Sequence, residues 1–122
     1  MKIYAFDVDH TLEVSHGPIP MTALKQLVDE GHIVGLNGNW AVVTYNVWGW
    51  WKYVSFLGPM AATKEQFLRE LQTYIPVEGY VMVGNDHRDP KWGAGYVSMD
   101  GEAAEKAGWK FINEDDFAAG ER

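Results

Sequence analysis

The chain has 122 residues, a net charge of −7 and no cysteine. That length fits a single domain spanning 1–122, and 47% hydrophobic with 14% aromatic residues supplies a core, which excludes a disordered chain. The missing cysteines exclude disulfides, a thiol nucleophile and thiolate metal sites and fit a cytoplasmic protein, while the acidic balance argues against general nucleic-acid or anionic-membrane binding.

The N-terminus, MKIYAFDVDH, carries two acids where a signal peptide needs an apolar run, and no apolar stretch is long enough to span a bilayer. Lys2–Phe6 reads as a buried strand that stops at an acidic turn. Pro20 to Glu30 reads as a helix: Pro20 suits its first turn, Leu24, Leu27 and Val28 form a stripe, and Gly31 stops it. His32–Leu36 is a second strand, ending in Asn37-Gly38-Asn39. The aromatic stretch Val42–Leu57 is read as a helix followed by a short strand near Val54–Leu57. Thr63 is placed as the cap of a helix over Lys64–Tyr74, with Gln66 completing a capping box. Gly79–Val83 is a strand running into Gly84-Asn85-Asp86-His87-Arg88-Asp89. Tyr96–Met99 is read as a further strand, Asp100 as the cap of a helix over Gly101–Ala107 that Gly108 ends, and Trp109–Ile112 as a last short strand. This alternation predicts an α/β fold with a parallel sheet covered by helices on both faces, whose sites form at the C-terminal ends of the strands.

The chemistry concentrates just past the first strand, in Asp7-Val8-Asp9-His10-Thr11. Two carboxylates one residue apart repel unless a cation lies between them or one is protonated. A hard cation such as Mg²⁺, held by oxygen ligands, resolves that repulsion. One carboxylate is then a nucleophile toward a phosphoryl group, and the other a general acid and base.

Phe6-Asp7-Val8-Asp9-His10-Thr11-Leu12 resembles the first motif of the haloacid dehalogenase-like phosphohydrolase superfamily. The resemblance implies Asp7 as nucleophile and Asp9 as general acid/base. The later motifs of that family follow in order. At the end of the second strand Asn37 stands where a Thr or Ser hydroxyl would hold the phosphoryl group, and its NH₂ is a donor in the same place. Lys64 fits the motif lysine, neutralising nucleophile and phosphate at a helix N-terminus. The loop after Val83 matches the acidic metal motif, with Asn85 and Asp89 in its two positions, or with Asp86 as the ligand in a shifted register. The resemblance thus implies Asp7, Asp9 and Lys64 as catalytic residues and Thr11, Asn37 and Gly38 at the substrate. It implies Mg²⁺ held among Asp7, Asp9, Asn85, Asp86 and Asp89.

It also implies a three-layer α/β/α sandwich with a Rossmann-like sheet and no cap domain, since Asp9–His32 and Asn39–Lys64 are short connections. Uncapped members act on macromolecular ends or large substrates, or use a neighbouring subunit as a lid; the tryptophans are the feature here that suggests a homo-oligomer. The expected activity is Mg²⁺-dependent phosphomonoester hydrolysis; the alternative is a catalytically silent binding module, motivated by Asn37 and Asn85. A receiver-type phosphoacceptor is disfavoured by order, because Lys64 precedes the acidic loop. Of six tryptophans, four fall between Trp40 and Trp51. They read as core and interface, or as an aromatic rim at the mouth of the site. His16, His32 and His87 have no metal-ligand spacing.

Overall fold

The computed structural model describes residues 1–60 and 63–122. Five strands form one all-parallel sheet: β1 (Lys2–Phe6), β2 (Ile33–Asn37), β3 (Phe56–Gly58), β4 (Gly79–Gly84) and β5 (Lys110–Asn113), in the order β3-β2-β1-β4-β5. Among the described residues five α-helices flank it: α1 (Met21–Asp29), α2 (Trp40–Asn46), α3 (Lys64–Tyr74), α4 (Asp100–Ala107) and α5 (Glu114–Ala118). No helix among the described residues is long and apolar enough to cross a membrane.

The central strand explains the layering. Successive side chains of β1 point to opposite faces. Tyr4 and Phe6 join Leu24, Leu27, Val43 and Phe117 in the core beneath α1, α2 and α5. Ile3 and Ala5 join Leu68, Ala104 and Ala107 beneath α3 and α4. Both faces of β1 are therefore dry, which is why its sequence is a continuous apolar run. The Phe6 and Phe117 rings meet edge-on with centroids 5.2 Å apart, so the C-terminal helix completes the first core layer.

The chain builds β1, β2 and β3 outward on one side, then crosses to build β4 and β5 on the other. The crossover leaves a crevice between the C-terminal ends of β1 and β4, the position where open parallel sheets take ligands.

Several boundaries differ from the sequence reading, and the reasons are physical. Tyr96–Met99 is not a sheet strand. Both edges of β4 are taken, by β1 and by β5, so this segment folds back over the β4 end through a single antiparallel bridge, Asp86 to Met99. Asp100 is not the cap of α4 but its first helical residue, and its carboxylate turns to Lys64. Thr63 precedes α3 without capping it: its hydroxyl donates to the Met60 carbonyl, and Gln66 bonds Glu70 instead of closing a capping box. Pro20 stands just before α1 rather than within its first turn. The third and fifth strands begin later than read, at Phe56 and Lys110. Helix α5, capped by the Asn113 side chain on Asp116 N–H at 2.8 Å, is an element the periodicity does not reveal.

Gly35 lies in β2 directly beneath the Phe56 ring, where any Cβ would overlap it. Gly35→Ala is expected to cost about 1–3 kcal/mol through overpacking. Urea unfolding of the purified variant measures this, and an unchanged midpoint would show that the ring moves aside freely.

Candidate active site

The site begins where β1 ends. Asp7 N–H donates to Val83 O at 2.8 Å, extending the β1–β4 ladder to the sheet edge. The backbone then tightens, with the N–H groups of Thr11 and Leu12 both donating to Val8 O at 3.1 and 3.0 Å. This turn leaves the Asp7 carboxylate buried at the floor of the crevice and lifts Asp9 to the surface. Asp9 Oδ1 accepts from Ser15 Oγ at 2.7 Å and Asn39 Nδ2 at 3.4 Å, which fixes its side chain at the rim.

A single ammonium organises the floor. Lys64, the first residue of α3, donates to Asp7 Oδ1 at 2.9 Å and to Asp100 Oδ1 at 2.7 Å, and all three side chains are buried. Burial opposes the lysine's charge, but the carboxylates of Asp7 and Asp100 outweigh it and hold Lys64 above the ordinary lysine value. Asp100 is pushed the other way, toward neutrality. Burial first, and then the charge of Asp7, raise it from 3.8 to about 7 against the pull of Lys64. One ammonium cannot fully satisfy two buried anions. Gly38 completes the floor: a Cβ there would stand 2.7 Å from Asp7 Oδ1 and 3.6 Å from Lys64 Nζ, so a side chain would obstruct both.

Asn85 follows β4 and uses every polar atom. Its Nδ2 faces the Asp9 carbonyl at 2.9 Å, Asp7 Oδ2 at 3.2 Å and Thr11 Oγ1 at 3.2 Å. Its Oδ1 accepts from Tyr96 OH at 3.0 Å, its carbonyl accepts from Ser98 Oγ at 2.7 Å, and its N–H points to Asp100 Oδ2 at 3.4 Å. Burial, followed by the negative field of Asp7 and Asp100, raises Tyr96 to about 12, which keeps its hydroxyl a donor. An amide carries two N–H protons, yet three oxygens converge on this nitrogen. A carboxylate, a carbonyl and a hydroxyl gathered at one point make the hard-oxygen donor set that Mg²⁺ takes, and turning the amide over adds the Asn85 carbonyl. The residues fit such a cation through oxygen of mixed kinds; no group of three His, Cys, Asp or Glu side chains suited to a metal occurs among the described residues.

Of the remaining sequence candidates, Asp86, Asp89 and Asn37 turn to other partners, while Thr11 stays at the floor. Asp86 turns away from the crevice to accept from Arg88 backbone N–H at 2.9 Å and Nε at 2.8 Å. Burial opposes its charge, but those bonds hold it below the usual carboxylate range. Asp89 accepts from Lys91 N–H at 3.1 Å and starts the short turn Pro90–Trp92. Asn37 is fully buried; its NH₂ points at Met82 Sδ at 3.9 Å and its Oδ1 has no partner. Thr11, also buried, donates to Asp7 Oδ2 at 3.3 Å, so it orients the carboxylate from below.

Asp100, Tyr96 and Ser98 are the site residues the sequence reading misses. An acid in the first turn of a helix looks the same whether it caps the helix or leaves it for a lysine, so only the fold separates the two. The open space above the floor is about 600 Å³, with Asp7, Lys64 and Asn85 at its base and Tyr96, Val97 and Met99 along one wall. Trp40, Trp48, Trp50 and Trp51 do not line it. Its aromatic flank is Tyr96, stacked on Trp92 with centroids 4.3 Å apart and planes at 11°. Searches against protein-family models, curated proteins and solved structures return no match to this chain.

Asp100 makes stability depend on pH. An acid held higher in the folded state than in the unfolded one stabilises the fold in its protonated form. That contribution is complete below the unfolded value of 3.8 and is lost as pH rises through about 7. Asp100→Asn, which keeps an oxygen for Lys64, is expected to flatten this fall. Thermal unfolding of both proteins across that range measures it, and parallel pH curves would show that Asp100 does not titrate there.

Proposed function

We propose that this protein is a Mg²⁺-dependent phosphomonoesterase of the haloacid dehalogenase-like kind, working through an aspartyl-phosphate on Asp7. The observation that carries this reading is the buried Asp7 carboxylate at the switch point of a parallel sheet, charge-paired to Lys64 at 2.9 Å and left open on one side by Gly38. A carboxylate placed solely for stability has no need of an unobstructed face toward a cleft of substrate size.

In this reading an Asp7 oxygen attacks phosphorus and the ester P–O bond breaks. Asp9 gives its proton to the departing alkoxide, then takes a proton from water as that water attacks the phosphoaspartate. Phosphate leaves and Asp7 is restored. Lys64 holds Asp7 in line and offers positive charge beside the transferring group. Asp7, the Asp9 carbonyl and, with its amide turned over, the Asn85 side-chain carbonyl would hold Mg²⁺, which would supply further neutralisation of phosphoryl charge when bound.

A second reading, a silent binding module on the same fold, is favoured by Asn37, whose amide faces Met82 and not the cleft. Turnover separates the two. With Mg²⁺ present, Asp7→Asn is expected to lower hydrolysis of an aryl phosphate by at least about a thousandfold, with loss of acid-stable phosphoprotein. Hydrolysis indifferent to that substitution would remove Asp7 from the chemistry, and none in the native chain would favour the binding module.

Asn85 gives an independent handle on the cation. Asn85→Asp removes the NH₂ that three oxygens now share and adds a charge beside Asp7. Mg²⁺ affinity by calorimetry is expected to rise on the order of tenfold, while the metal-free variant unfolds at lower temperature. Unchanged affinity would place the cation elsewhere.

A further inference from the structure

The walls of the cleft differ in kind from its floor. Val97, Met99 and Met60 are 83%, 54% and 57% exposed, and all three line this one space beside Tyr96. A second, shallower recess of about 390 Å³ continues the same wall past Val97 and Met99 toward His87. Apolar side chains left in water around a charged floor mark a place where a ligand, not the protein, completes the burial.

The charges narrow the ligand further. Five carboxylates line the cleft, Asp7, Asp9, Glu65, Asp100 and Glu102, against two ammonium groups, Lys64 and Lys106. Lys64 is committed at the floor to Asp7 and Asp100. Lys106 lines the same cleft as Glu65 and Glu102, and with Lys64 committed the carboxylates outnumber the remaining ammonium, so a second anion on the substrate meets no net positive field. The two arginines near this end are also engaged: Arg88 bonds Asp86 and Glu105, and Arg69 bonds Glu65 and the Lys106 carbonyl.

We infer that the substrate is a small monophosphate ester of an apolar alcohol with no second anionic group, its hydrocarbon seated on the shelf of Met60, Val97 and Met99. The inference rests on the hydrolytic reading of Asp7 and names its substrate class. It separates this cleft from one built for polyanions such as a phosphorylated nucleic-acid end, which requires basic walls.

Ethyl and hexyl phosphate test it, since their leaving groups are of nearly equal acidity and differ in hydrocarbon. Each methylene buried is worth up to about fourfold, so kcat/KM with Mg²⁺ is expected to be at least tenfold higher for hexyl phosphate. The ω-carboxylate analogue of hexyl phosphate is expected to lose that gain. Val97→Asn with Met99→Gln, both exposed positions, is expected to lower the hexyl-to-ethyl ratio toward one; Val97→Asn alone serves if the double variant does not fold. Binding of the same esters to Asp7→Asn by calorimetry gives a readout that needs no turnover. Hydrolysis with no preference between the two esters overturns the inference and leaves the hydrolytic reading intact. Selective binding of hexyl phosphate, lost in the Val97 variants but with no hydrolysis by the native chain, supports the shelf and overturns the hydrolytic reading. Equal binding and no hydrolysis overturn both.

Discussion

One ammonium between two buried carboxylates holds this molecule's functional end together. Lys64 reaches across 57 residues of chain to Asp7 and 36 to Asp100, so the end of β1 and the starts of α3 and α4 meet at a single nitrogen. Removing one member of such a buried set strands the others without compensation, at a cost of about 3–5 kcal/mol. The arrangement is also unbalanced, two acids to one base. The imbalance appears as the elevated Asp100, and it leaves the pocket receptive to one more positive charge.

Asn85 supports the same floor without adding to that imbalance. An acid in its place would bring a third carboxylate to Asp7 and Asp100. The amide instead donates to oxygens that would otherwise repel one another, and it accepts from Tyr96. Through Tyr96 and Ser98 it also anchors the loop that forms the apolar wall. One neutral side chain thus joins the reacting floor to the surface proposed to choose the substrate.

How much of this was legible in the sequence depends on the range of the interaction involved. Lys2–Phe6 and Gly79–Val83 are recognisable because a strand buried on both faces must be apolar throughout, and that is a local property. Lys64 is legible as a helix-start residue, which is again local, whereas its two carboxylate partners are brought to it by the fold. Tyr96–Met99 has the composition of a strand, but whether it becomes one depends on whether β4 has a free edge, which is a property of the whole sheet. Asp86 and Asp100 show the same limit. Both are acids after the fourth strand; two residues on, Arg88 claims the first, and a lysine from another helix claims the second. Residue identity does not distinguish these fates.

The sheet's outer margins carry a consequence for association. β3 has three residues and β5 has four. Edges this short offer little unpaired backbone on which a neighbouring chain can extend the sheet, a common way natural folds resist edge-to-edge aggregation. Trp48 and Trp51, with rings 5.8 Å apart, stand in water beyond the end of α2. The molecule thus offers a second copy little edge for continuous backbone pairing, and what it leaves exposed there is side chain, the paired Trp48 and Trp51 rings.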